Sequence, residues 1–155
     1  MFSLRSHGRG PTLAFMVAFT ATAPTMAQDT SAEASASTPT PSLSLELNRA
    51  ITTDNGCRLG FVTTNKMGAD LSKAAFEIVL FNPKGLIERL LVLDFGAMPD
   101  GRTKVREFNL PGSPCDSIDR VLVNGVSACE GDGVSKEACA SAIQASSRAD
   151  IEFGL

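Results

Sequence analysis

The stretch Leu43-Ser-Leu-Glu-Leu47 sets large apolar residues against Ser44 and Glu46 in strict alternation. A period of two puts every second side chain on one face, the pattern of a strand with one buried side. Working outward, the same period returns in Cys57, Leu59 and Phe61, and in Phe76, Ile78 and Leu80 within 75–81. It returns again in Val121 and Val123 within 119–127, and in Ala149, Ile151, Phe153 and Leu155. Asn82-Pro-Lys-Gly85 and Pro99-Asp-Gly101 are turn sequences, Pro presetting φ and Gly free to take positive φ. They bound strands over 86–95 and 103–110. About seven short strands joined by such turns predict a mainly β chain folded as an antiparallel β-sandwich.

One segment breaks the period. Residues 135–147 are rich in Ala, with Ser135 placed to cap a first turn that contains Glu137. They predict one short helix of about three turns between the last two strands. The segment 66–74 carries a weaker signal for a single helical turn. The run Leu86-Ile-Glu-Arg-Leu-Leu-Val-Leu-Asp-Phe95 is apolar on both faces in its second half, which predicts a central strand lying under the helix. A strand covered by a partner protein would give the same pattern.

The chain has 155 residues, enough for one domain and too few for two lobes around a large cleft. Its start is basic, with Arg5, His7 and Arg9, and is followed by an apolar run over 13–19 and by Thr25-Met-Ala27. This is the pattern of a secretory signal peptide over 1–27, cut after Ala27. The apolar run is much shorter than the about 20 residues that span a bilayer, so no stable membrane span is expected after cleavage. Residues 28–42 contain only small and polar side chains with two prolines, and read as a flexible leader. The folded domain is then 43–155, and the protein is expected in the periplasm or outside the cell.

Cleavage removes two of the 14 Lys and Arg residues and none of the 17 acids, leaving a net charge of −5. That argues against nucleic acid as a partner. Four cysteines behind a signal peptide predict two disulfides. If strands alternate in direction, 57–64 and 119–127 start at the same end of the sandwich, which favours Cys57–Cys115 and leaves Cys129–Cys139 as a local bridge. On chain entropy these contribute roughly 4 and 3 kcal/mol. Zinc is the rival use of four cysteines, but there is no C-x-x-C pair and the only histidine leaves with the signal. No metal or other cofactor is expected, and Met67 and Met98 read as packing residues.

Nucleophilic catalysis usually takes a histidine base, and none remains after maturation. Ser72-Lys73 and Ser135-Lys136 are the conceivable Ser-Lys pairs, but adjacent residues on one element do not face each other. The loop Cys129-Glu-Gly-Asp-Gly133 offers two carboxylates, few beside the six to eight oxygens that calcium takes. No catalytic residue is assigned. Arg102, Lys104 and Arg106 recur every second residue and should share one strand face. They are the candidate contact surface for an acidic partner. The competing reading is a solvated face paired with acids such as Glu88.

The segments Cys57-Arg-Leu-Gly-Phe-Val-Thr-Thr-Asn65, Phe76-Glu-Ile-Val-Leu-Phe81, Leu93-Asp-Phe-Gly96 and Arg120-Val-Leu-Val-Asn124 carry a resemblance. So do the four cysteines and Ser146-Ser-Arg148 with Glu152. Over about 45–155 the chain resembles exported proteins of Gram-negative bacteria often labelled "Tat pathway signal sequence domain protein". The resemblance implies a shared fold and export; it does not imply an activity, and it carries over no catalytic residues. Arg5 and Arg9 are not adjacent, so ordinary Sec export is expected in place of the twin-arginine route. More loosely, the pattern is similar to small immunoglobulin-like envelope domains, which usually bind proteins. The expected function is a non-enzymatic protein-binding or envelope-accessory module with an envelope protein as partner. A small hydrolase or small-ligand binder using a carboxylate or serine site is the alternative, and a structural envelope protein without a ligand is a third.

Overall fold

A computed structural model describes residues 40–155. The expected signal peptide and most of the leader lie outside the described residues. Eight strands form two four-stranded sheets, with one helix between the sixth and seventh. In chain order they are β1 (Ser42–Thr53), β2 (Gly56–Lys66), β3 (Leu71–Phe81), β4 (Ile87–Met98) and β5 (Thr103–Pro111). A short 3-10 turn over Cys115–Ser117 leads to β6 (Arg120–Gly131), α1 (Lys136–Ala142), β7 (Ile143–Ser147) and β8 (Glu152–Gly154). The first sheet runs β5-β2-β1-β7 and the second β4-β3-β6-β8.

The alternation read from the sequence is the one that is buried. Leu43, Leu45, Leu47, Leu59 and Phe61 are closed to solvent from the first sheet, as are Phe76, Ile78, Leu80 and Phe95 from the second. Phe61 lies at the centre, its ring edge-on to Phe95 at 5.5 Å, to Phe108 at 5.9 Å and to Phe153 at 5.4 Å. These contacts join both sheets, and T-shaped aromatic pairs add to the area they bury. The turns form as their residues dictate. Asn82 Oδ1 accepts from the amides of Lys84 and Leu86, and Gly85 takes φ +73°.

The disulfides join Cys57 to Cys115 and Cys129 to Cys139, the first closing one end of the sandwich and the second tying α1 to β6. Asn65 is fully buried at the end of β2, where its Nδ2 donates to the carbonyls of Ala69 and Met98 at 2.9 and 2.7 Å. Its Oδ1 accepts from the Met67 amide at 2.9 Å. One side chain therefore organises two loops.

Several expectations are corrected. The chain has eight strands, because the closing segment is split: Ile143–Ser147 pairs with β1, and Glu152–Gly154 pairs with β6. Both of these pairings are parallel, unlike the wholly antiparallel sandwich expected. The helix stops at Ala142, short of the predicted 147, because Ile143 is buried opposite Leu43 at the edge of β1. Ser135 does cap it, accepting from the Ala138 amide at 3.1 Å. Residues 66–74 form no helical turn; 71–74 already belong to β3, and the Asn65 bonds and the Asp70 carboxylate, which accepts from the Asp100 amide at 2.7 Å, hold 67–70 as a loop leading into it. Finally, β4 is an edge strand, not a central one, and α1 packs on β6 and β1 instead.

Candidate contact face

The outer faces of the two sheets differ in kind. On the first sheet, cross-strand polar pairs cover most of the outside, around an exposed Val105 that stands beside Val62. Arg58 donates to Asn109 at 2.9 Å, and the hydroxyls of Thr64 and Thr103 meet at 2.9 Å. The Arg49 side chain passes over Gly60, where a Cβ would meet its Cγ, to pair with Glu107. Arg148 Nε donates to Glu46 Oε2 at 2.9 Å. That bond, then the one from Asn48, holds the Glu46 carboxyl below the usual carboxylate range, and the same pairing raises Arg148. This is how a solvated sheet face is usually finished.

The second sheet is finished differently. The outward positions of β4 are Glu88, Leu90, Val92 and Asp94, with Leu90 64% and Val92 53% exposed. In register beside them on β3 are Val79 and Glu77, and beyond these on β6 Leu122 pairs with Val79 and Gly125 with Glu77. Glu77, Val79, Leu90, Val92 and Asn124 line a shallow hollow of about 220 Å³ in this surface. That is smaller than the roughly 300–1,000 Å³ of ordinary small-molecule pockets. Farther along the same face, the Arg120 guanidinium lies 4.3 Å from the centroid of the Phe81 ring. Leu86 and Ile87 extend the exposed apolar surface past the start of β4.

The basic ladder has another destination. Lys104 and Arg106 do share one face, but it is the inward side of β5, and both reach across the open flank of the sandwich to β4. Lys104 Nζ donates to the Ala97 carbonyl at 2.7 Å, and Arg106 Nε to the Phe95 carbonyl at 2.8 Å. Arg89 returns the bridge from β4, donating to the Pro111 carbonyl at 3.1 Å. The free edge of β4 supplies unpaired carbonyls, and these cations satisfy them. Glu88 is not their partner, since it lies on the outer face of the other sheet. Arg102 stands apart at the head of β5, exposed, with its carbonyl accepting from the Asn65 amide at 3.4 Å.

The conceivable serine sites are not assembled. The Ser135 hydroxyl is the helix cap, and the Ser72 hydroxyl donates to the Glu130 carbonyl at 3.1 Å. In the loop after Cys129, Gly131 and Val134 bridge to close a tight turn. Among the described residues no three of His, Cys, Asp and Glu are grouped to hold a metal ion. A cleft of about 620 Å³ near the 3-10 turn gathers Asp116, Asp119 and Asp150, and its two arginines, Arg49 and Arg148, are engaged in the ion pairs above.

The sequence reading found β4 but missed its neighbours on the same surface, Val79 and Leu122. A signal for them existed: Val79 and Phe81 are apolar on the face of β3 opposite Ile78 and Leu80. No family model, no curated protein and no solved structure matches the chain.

Proposed function

We propose that the chain is an exported, non-enzymatic protein-binding module of the cell envelope whose contact surface is the outer face of β4, β3 and β6. One contrast carries this reading. Leu86, Ile87, Leu90 and Val92 stand exposed around an apolar hollow on one sheet, while the corresponding face of the other sheet sets a single exposed valine, Val105, among polar pairs. Exposed apolar groups gathered on one face, with polar groups around them, are the usual mark of a protein interaction site. Two disulfides fit an oxidising compartment, in keeping with Sec export and cleavage after Ala27. The ladder of Arg102, Lys104 and Arg106 is set aside as the contact surface, because two of its members close the flank of the fold.

The test is photo-crosslinking in the cell with a reactive side chain placed at Leu90, at Val92 or, as control, at Asn109. A single protein adduct from the first two positions and none from the third supports the module. Equal or absent adducts at all three positions would remove it.

A further inference from the structure

We infer that the partner on this face presents apolar side chains flanked by lysines or arginines, and that it packs on the face without extending the sheet. The inference rests on the contact surface proposed above and names the chemistry of what covers it.

The charges around the hollow are unbalanced. Glu77 on β3, Glu88 and Asp94 on β4 and Glu152 on β8 surround the apolar centre, against Arg120 on β6, with Lys73 farther along β3 opposite Glu130 and Lys84 in the turn before β4. Arg120 lies over the Phe81 ring. Among the described residues the ion pairs are Arg49–Glu107 and Arg148–Glu46, so none of the four carboxylates is held in an ion pair, although Glu152 stands in register beside Arg120. Glu77 meets only the Asn124 amide, at 3.5 Å, and Asp94 accepts from the Gly96 amide of its own strand at 2.8 Å. Covering the centre with another acidic surface would set like charges together at reduced dielectric, which costs binding. That disfavours a second copy of this chain, whose rim would bring the same four carboxylates, and it disfavours anionic lipid. A cationic rim around an apolar ridge is the complement.

The mode of packing follows from the edge. A partner strand added along the whole of β4 would need the carbonyls of Phe95 and Ala97, and Arg106 and Lys104 hold both. The outward side chains Leu90 and Val92 remain accessible, so contact runs through side chains.

The probes are two synthetic amphipathic peptides with the same leucine and valine stripe, one flanked by lysines and one by glutamates. Each is titrated into the full chain with both disulfides formed, while the methyl signals of Val79, Leu90, Val92 and Leu122 are followed. The lysine-flanked peptide should shift these signals, bind at least tenfold more tightly than the other, and weaken several-fold as salt rises from low to high. The double variant Glu77→Lys with Glu88→Lys should reverse the preference. Leu90→Ser, which removes an apolar anchor without adding charge, should weaken both peptides.

Equal binding of the two peptides at these methyls would overturn the inference and leave the contact surface standing. Binding of phosphatidylglycerol vesicles there, or self-association abolished by Leu90→Ser, would overturn it as well. No shift with the lysine-flanked peptide also overturns it, and the crosslink from Leu90 then decides separately whether the surface binds protein at all.

Discussion

Arg106 Nε donates to the Phe95 carbonyl oxygen at 2.8 Å, binding the edge strand of one sheet to the edge strand of the other. With Lys104 on the Ala97 carbonyl, it stitches a flank where no backbone ladder joins the two sheets. A hydrogen bond to a charged group contributes about 1.5–3 kcal/mol, and the partial exposure of Arg106 places it at the lower end.

Arg106→Met should therefore lower stability by about 1.5 kcal/mol in urea unfolding, since it keeps the stem and deletes the donor. Adding Lys104→Met frees a second carbonyl on the edge of β4. Light scattering of the double variant should show faster aggregation than either single change, because an uncapped edge invites strand addition. Unchanged scattering would mean that the caps do not guard the edge.

Asn65→Ala should be among the costliest polar substitutions in the fold. It deletes three hydrogen bonds and strands the Ala69 and Met98 carbonyls and the Met67 amide. At about 1 kcal/mol or more for each group left without a partner, a loss of roughly 3 kcal/mol is expected from the urea midpoint. Asn65→Asp should be no better, because its charge would face two carbonyl oxygens.

The two disulfides should differ in weight. The bridge Cys57–Cys115 closes a separation of 58 residues and Cys129–Cys139 one of 10. On loop-closure entropy, paired replacement by alanine costs roughly 4 kcal/mol for the first and roughly 3 for the second. Chemical unfolding of the two double variants measures the order; the reverse order would show that tethering α1 does more than shorten a loop.

Glu46 gives a pH dependence with a definite sign. Its folded pKa is depressed by Arg148 and Asn48, so its contribution is present above the unfolded value of about 4.3. That contribution is lost as pH falls through the lower folded value. Carboxyl NMR titration should find Glu46 ionising below the usual range, and Arg148→Met should move it upward. Because the pair is on the surface, added salt should shrink the difference.

The buried alternation was legible because it is local: Leu43, Leu45 and Leu47 announce their face whatever lies across from it. The position of β4 was not, since an apolar outward face looks the same whether α1 or solvent covers it. Alanines and Glu137 argued for a helix through 147, and only the parallel partner Leu43, far away in sequence, ends it at Ala142. The spacing placed Lys104 and Arg106 on one face, while Arg102, ahead of β5, stands apart. Which face they took depended on the unpaired carbonyls of another strand. The role of Asn65 was only half visible locally, because its bonds to Met67 and Ala69 are near in sequence but the buried one to Met98 spans 33 residues.

Leu47 and Ser147 are 100 residues apart and share a strand pairing, with β1 held between β2 and β7. Phe61 likewise waits for Phe153 to complete its ring cluster. Neither sheet reaches its full width until β7 and β8 have joined it, so the core depends on partners far apart in the sequence. With contacts this non-local, refolding should be slow, on the millisecond-to-second scale of such β topologies. A chaperone that keeps it loose would have a long window in which to act.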